Sequence, residues 1–434
     1  MLRGKRILVV VIGIFLIGLG FGQVGCAGGY PSHFGWVHFL PTVGGYAPAG
    51  KADTPVSFKE AVTFTYVPLE DDSYDYIIPL GNVGPPGHTF PSDHIYFVLK
   101  DGSYPVVAPA SGVITEIVNW TQSDWSYQDY ELHIKHTDTF ETYFYHMSGI
   151  ADWILSITGE IESESQITVN IPVAAGQEVG RAEKQPGGSV CLDWGAINYE
   201  ITLNFIHPET YGEGVNVHTV CPLDYLNETL KQQAYAKVWR TGDPPGGKID
   251  YDLPGRLSGN WFMEGSPPGV WDCSTQLAFV YYVYNASQMI VSVGGNFLAP
   301  LPIGVFNATG PDFGSVSADN GTVTYHLVGE YPDNIKGQIY TLIVQVVGDE
   351  RIRVEAFEGY QEGKSFTDKA VYYNRIGPYG PGEDYGETFI LDLAILNQLT
   401  SYSQQRSLIV FGVAGGVIAV LAAALTLVMF RGRH

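Results

Sequence analysis

The sequence predicts a mainly β protein: two antiparallel β domains in series, followed by one apolar helix. Three observations predict it. From about residue 60 to 375, short runs rich in Val, Ile, Tyr and Phe alternate with Gly, Pro, Asp and Asn turns. Amphipathic helical spacing is nearly absent; the exception is 222–239, where Leu223, Leu226, Leu230 and Ala234 recur at helical intervals. Hydrophobic residues make up 45% and aromatics 13% of the 434 residues, too apolar for a chain that stays disordered. The formal charge of −22 excludes a nucleic-acid binder, which needs Lys and Arg to displace phosphate counterions.

The two ends predict a compartment. Arg3, Lys5 and Arg6 precede an apolar run and the small-residue stretch QVGCAGG, the pattern of a secretory signal over 1–26. Val24-Gly25-Cys26 partly resembles a lipobox, with Gln23 where Leu is wanted. Near the other end, 408–430 holds 23 residues without a charge, a helix roughly 34 Å long and enough to span a bilayer. Arg431 and Arg433 follow and mark the cytoplasmic side, which leaves a tail of 431–434 inside and the rest of the chain outside. The expected location is therefore the cell membrane, single-pass, with an extracellular ectodomain. Five of the 15 asparagines, Asn119, Asn227, Asn285, Asn307 and Asn320, stand in N-glycosylation sequons. Of four cysteines, Cys191 and Cys221 fall in one domain and could pair in an oxidising compartment.

Between the ends, 27–59 reads as an irregular Gly/Pro linker and 60–240 as the first β domain. TGDPPGGK at 241–248 reads as a boundary, 249–375 as a second β domain (sandwich or barrel), and 376–406 as a linker and juxtamembrane segment. Asp101-Gly102 suits a hairpin turn.

Chemistry concentrates between Gly81 and Asp224. His88 and Asp93 share a Gly/Pro-rich loop, and imidazole and carboxylate are ordinary zinc ligands. His146 follows a strand-like TYFY run, and His133 and His136, three apart, face opposite sides of a regular strand. This order of segments resembles the lysostaphin/LytM-type zinc endopeptidases and their duplicated-hybrid-motif β fold. YPVVAPASGVI from Tyr104, LHIKHTDTFETYFYHMSGI from Leu132 and VNIPVAAGQEVG from Val169 match that family's strand and turn pattern. The resemblance implies that His88 and Asp93 are two zinc ligands and that His146 is the helper histidine, with Phe144 replacing the usual Tyr. It places Asn198 at the third ligand and Ala196 at a catalytic histidine, within AINYE. An amide oxygen is a weak zinc donor. The expectation is thus a pseudoenzyme that has lost its zinc and binds or scaffolds at the cell envelope, on wall or surface glycans or peptides. The alternative is an active zinc endopeptidase whose ligand set is completed by His94, Asp193, Glu200, His207 or His218.

In the second domain, Gly259-x-Trp261 is similar to the opening of lipocalin-like barrels. It implies a third reading, a barrel that carries an apolar ligand. No nucleophile elbow, P-loop or dinucleotide fingerprint occurs there.

Overall fold

The structure is a computed structural model that describes residues 62–212 and 215–379. The expected signal segment, the 27–59 linker, the 408–430 helix and the tail lie outside the described residues, as does Cys26. Among the described residues, no helix is long and apolar enough to cross a membrane.

The first domain is built on a twisted antiparallel sheet. Its strands are β1 (Tyr74–Ile78), β2 (His94–Leu99), β4 (Gly112–Asn119), β5 (Tyr130–Lys135), β6 (Phe140–Met147), β8 (Ser165–Val173) and β10 (Cys191–Asn198), in the order β1-β2-β10-β6-β5-β4-β8, with β11 (Thr219–Val220) added to the end of β10. A smaller sheet, β3 (Ser103–Val107), β9 (Glu178–Glu183) and β7 (Gly149–Ile150), packs beside it. Strand alternation divides the large sheet into two unlike faces. Ile95, Phe97, Leu192, Trp194, Phe144, Leu132, Ile134 and Ile117 point to one side and are fully buried in the core. His94, Tyr96, Asp193, Gly195, Tyr143, Tyr145, Glu131, His133 and Glu116 occupy the other. That polar face carries the chemistry.

Two local expectations change. Asp101-Gly102 turns a corner between sheets rather than a hairpin, because β2 pairs with β1 and β10 while β3 pairs with β9. The helix expected over 222–239 is broken: a 3-10 turn covers Pro222–Tyr225, and the α-helix runs only Glu228–Tyr235. Asn227 resets the helix start by accepting the Leu230 amide (3.1 Å) on its side chain. A second short helix, Asp152–Thr158, was not legible in the spacing.

The second domain is a closed antiparallel barrel, not a sandwich. Its eight strands follow chain order: β12 (Gly259–Met263), β13 (Gln276–Tyr282), β14 (Asn285–Val293), β15 (Gly304–Thr309), β16 (Thr322–Tyr331), β17 (Ile339–Gly348), β18 (Arg351–Glu358) and β19 (Val371–Asn374), which pairs back to β12. Closure removes exposed sheet edges. The lumen is occupied by the barrel's own side chains, among them Trp261, Phe279, Phe306, Tyr325 and Leu342, all with no exposed surface. The chamber that an apolar ligand would need is thus filled. Trp261 lies under Arg375, whose guanidinium carbon is 3.5 Å from the ring centre.

The 241–248 segment is a seam rather than a loose linker. Leu80 N–H donates to Gly246 O (3.1 Å) and Thr241 N–H to Tyr284 O (2.9 Å), so each domain bonds it. The barrel's outer wall contributes Phe262, Ala278, Val280, Ile290 and Val305 to the same buried cluster as the first sheet. One apolar core therefore runs through both domains.

Candidate metal centre on the polar face of the sheet

The candidate centre grows from three strands. β2 begins with His94 directly after Asp93, and β10 runs antiparallel to it, so that Asp193 lies opposite Tyr96 and Gly195 opposite His94. On its other edge β10 pairs with β6, with Asp193 opposite Tyr145 and Gly195 opposite Tyr143. Gly195 is required at this crossing: a Cβ there would sit 2.0 Å from Cζ of Tyr143. The Tyr143 ring lies across the glycine, and its hydroxyl donates to Asp93 O (3.2 Å).

His146 reaches the same face through a bulge. Regular alternation would turn it toward the core, since Tyr145 already faces the polar side. Instead its φ is +63°, and the β5–β6 register shifts there. A non-glycine residue in the left-handed region is strained, and bulges commonly re-aim side chains at functional sites. The result is a chain of alternating charges. His94 Nδ1 is 3.0 Å from Asp93 Oδ1, and its Nε2 is 3.2 Å from Asp193 Oδ2. His146 Nε2 is 3.6 Å from that same Asp193 oxygen, and its Nδ1 donates to Asp129 at 3.2 and 3.3 Å. His88 leans over the group, its ring 5.3 Å from that of His94. The His88 loop is held by the barrel, since Thr89 Oγ1 donates to Cys273 O (3.2 Å).

The electrostatics follow from burial and neighbours. Burial opposes the charged form of His94, but Asp193 and Asp93 outweigh it and hold the imidazole at about 10. Burial likewise opposes charge on His146, and Asp193 and Asp129 raise it to about 9. For His88 the balance reverses: burial and the neighbouring His94 charge outweigh Asp193 and Asp93 and lower it to about 4. Burial would raise Asp93, yet His94 and the Asn216 N–H (3.1 Å) bring it down to about 2.

In donor chemistry the set suits a divalent metal, although as it stands no three of its ligand atoms lie within 4.8 Å of one another. Imidazole nitrogens of His88, His94 and His146 and carboxylates of Asp93, Asp129 and Asp193 are all ordinary ligands of zinc. Asp193 Oδ1, buried at the centre, lacks a hydrogen-bond partner, as does the neighbouring Tyr96 hydroxyl, while His94 Nε2 meets the other Asp193 oxygen at 3.2 Å. Buried polar atoms left over in this way call for an absent ion or water.

His88, Asp93 and His146, expected from the sequence, do come together. Asn198 does not join them. It shares its side of β10 with Trp194 and Ala196, away from Asp193, and its amide donates to the Tyr225 hydroxyl (3.2 Å). The residue of β10 that faces the centre is Asp193, so the expected third-ligand position falls five residues earlier than Asn198. Of the other candidates, His94 belongs to the centre. Glu200 accepts from Thr139, His207 pairs with Glu209 and Glu350, and His218 bonds to Ile201 O. Asp129 was missed, and only its place in the Trp120–Asp129 turn beside the bulge reveals it.

Two further expectations change. Cys191 is disulfide-bonded, but Cys221 and Cys273 are free, so no Cys191–Cys221 bridge forms. Val220 pairs with Ala196, which puts Cys221 about four residues along β10 from Cys191, roughly 13 Å and beyond disulfide reach. Asn119 is buried, and its amide nitrogen donates to Ile161 O (2.9 Å), leaving no room for a glycan on the folded chain. Asn320 is exposed, while Asn227, Asn285 and Asn307 are half-buried.

No family model matches the sequence, and no curated protein is detectably similar to it. Among solved structures, a zinc-containing peptidase from Vibrio cholerae aligns at 15% identity with a TM-score of 0.22, over 32% of this chain. The chain spans only 37% of that peptidase, and a superposition this partial carries no weight for fold or chemistry.

Proposed function

We propose that the first domain is a zinc-dependent peptidase of the lysostaphin/LytM type, presented outside the cell by the 408–430 helix and acting on wall or surface peptides. The observation that supports it is the gathering of His88, Asp93, His94 and Asp193 about the unpartnered, buried Asp193 Oδ1, with His146 beside them. Asn198, whose identity argued for a lost site, stands on the other face of the sheet. His88, His94 and Asp193 would hold the metal, with Asp93 fixing the His94 ring through Nδ1. When bound, the ion would polarise a carbonyl and acidify water. His146, held protonated by Asp193 and Asp129, is placed to give a proton from Nε2 and take it back, while Asp129 fixes its orientation through Nδ1. Tyr143 supports Asp93 from behind through its backbone oxygen.

A second reading is favoured by a specific observation: the chain Asp93–His94–Asp193–His146–Asp129 alternates charge, each histidine lying between two carboxylates. Such a chain is self-sufficient as a rigid binding surface, and the domain would then be a scaffold for envelope glycans or peptides. Zinc content and hydrolysis of a peptide library by the full chain separate the two. Asp193→Asn and His88→Ala are each expected to remove about one equivalent of zinc and to abolish hydrolysis. Unchanged zinc content in both variants, or a wild-type chain that holds no zinc, leaves the scaffold reading.

A further inference from the structure

A second group of donors lies on the same polar face and takes no part in the centre described above. His133 and Glu131 are two residues apart on β5, and Glu116 stands directly opposite His133 on β4. Ligand atoms of these three residues all lie within 4.8 Å of one another. Both carboxylates are fixed from outside the group. Trp120 Nε1 donates to Glu131 Oε2 (2.8 Å), and Gln166 Nε2 donates to Glu116 Oε2 (2.7 Å). Each carboxylate thereby has one oxygen anchored and one left for the group; Glu131 Oε1 reaches His133 Nε2 at 2.6 Å. The His133 ring is also fixed in plane, stacked on Tyr143 at 5.5 Å and 24°.

We propose that Glu116, Glu131 and His133 form a second binding site for a divalent transition ion of the zinc or manganese class. One imidazole and two carboxylates, set on two rigid strands and oriented by outer hydrogen bonds, suit such an ion. The three ligands approach from one side, so the remaining coordination positions open away from the sheet. The contact between His133 and Glu131 is then the metal-free resting form, in which a proton stands where the ion would bind. Three strand spacings separate His133 from His94, roughly 14 Å, too far for the two centres to share an ion. Tyr143 lies between them and touches both: its ring stacks on His133 and its hydroxyl reaches Asp93.

The test is metal counting on the full chain, loaded with zinc or manganese and desalted, with circular dichroism to verify folding. His133→Ala and Glu116→Gln should each lose about one equivalent relative to wild type and keep the equivalent that His88→Ala removes. Trp120 reports directly, because its indole holds the outer oxygen of the Glu131 carboxylate: its fluorescence should change on loading, and Trp120→Phe should weaken the second equivalent by about 10–100-fold. If folded His133→Ala and Glu116→Gln retain the wild-type metal content, the second site does not exist. Loss confined to His88→Ala overturns this site alone; loss confined to His133→Ala overturns the first centre and leaves this one standing.

Discussion

Arg375 at the foot of the barrel and His94 on the sheet are both almost fully buried, 1% and 3% exposed, yet their surroundings differ. The terminal nitrogens of Arg375 meet four oxygens: Asp252 Oδ1 and the backbone carbonyls of Asn260, Arg256 and Ser258, at 2.6–3.1 Å. Its plane rests on Trp261, and only its Nε lacks a partner. Asp252 is tied in turn to the amides of Asn260 and Ile206. Around His94 the partners are two carboxylates, Asp93 and Asp193, rather than backbone carbonyls, and Asp193 keeps its second oxygen unpartnered. The first pattern is what a buried charge needs for structure alone; the second reserves capacity for something that binds.

Three changes would break or sharpen that contrast. Arg375→Ala strands the Asp252 carboxylate and uncovers Trp261, which should cost about 3–5 kcal/mol and be visible in thermal denaturation without a specific effect on metal binding. Gly195→Ala acts on the sheet. Its new methyl collides with Tyr143, so overpacking should cost about 1–3 kcal/mol and loosen the centre through Asp93, read as lower zinc occupancy in a still-folded protein. The smallest effect is on pH. His94 and His146 have folded values of about 10 and about 9, above the ordinary histidine range. Their stabilisation is therefore fully present below about 6.5. It is lost as pH rises through about 9 to 10. The melting temperature of chelator-treated protein should fall over that interval, and His146→Gln should flatten part of the fall. Arg375, charged throughout, should show no such dependence.

The mainly β character and the succession of strands and turns were legible, because local backbone chemistry and alternation determine them; whether the strands after 249 form a sandwich or a barrel is open in the sequence, since closure depends on β19 pairing back to β12. The centre was only half legible. His88, Asp93 and His146 sit in distinctive loops and runs. Asp193 lies in CLDWG, where its importance depends on which neighbours β10 pairs with, a long-range matter that spacing cannot show. The motif position at Asn198 falls five residues past Asp193, the carboxylate of β10 that meets His94 and His146. The bulge that turns His146 back is equally invisible, since it takes one left-handed residue against regular alternation.

The shared core has an evolutionary consequence. A β domain that could stand alone would be free to move between genes as a cassette. Here the His88 loop leans on Cys273, and Phe262, Val280 and Ile290 of the barrel lie in the sheet's interior. Excising either half would leave an apolar scar, and cutting away the barrel would also unseat the His88 loop. Descent should therefore have kept the pair together, with substitutions on the barrel wall answered by substitutions on the sheet.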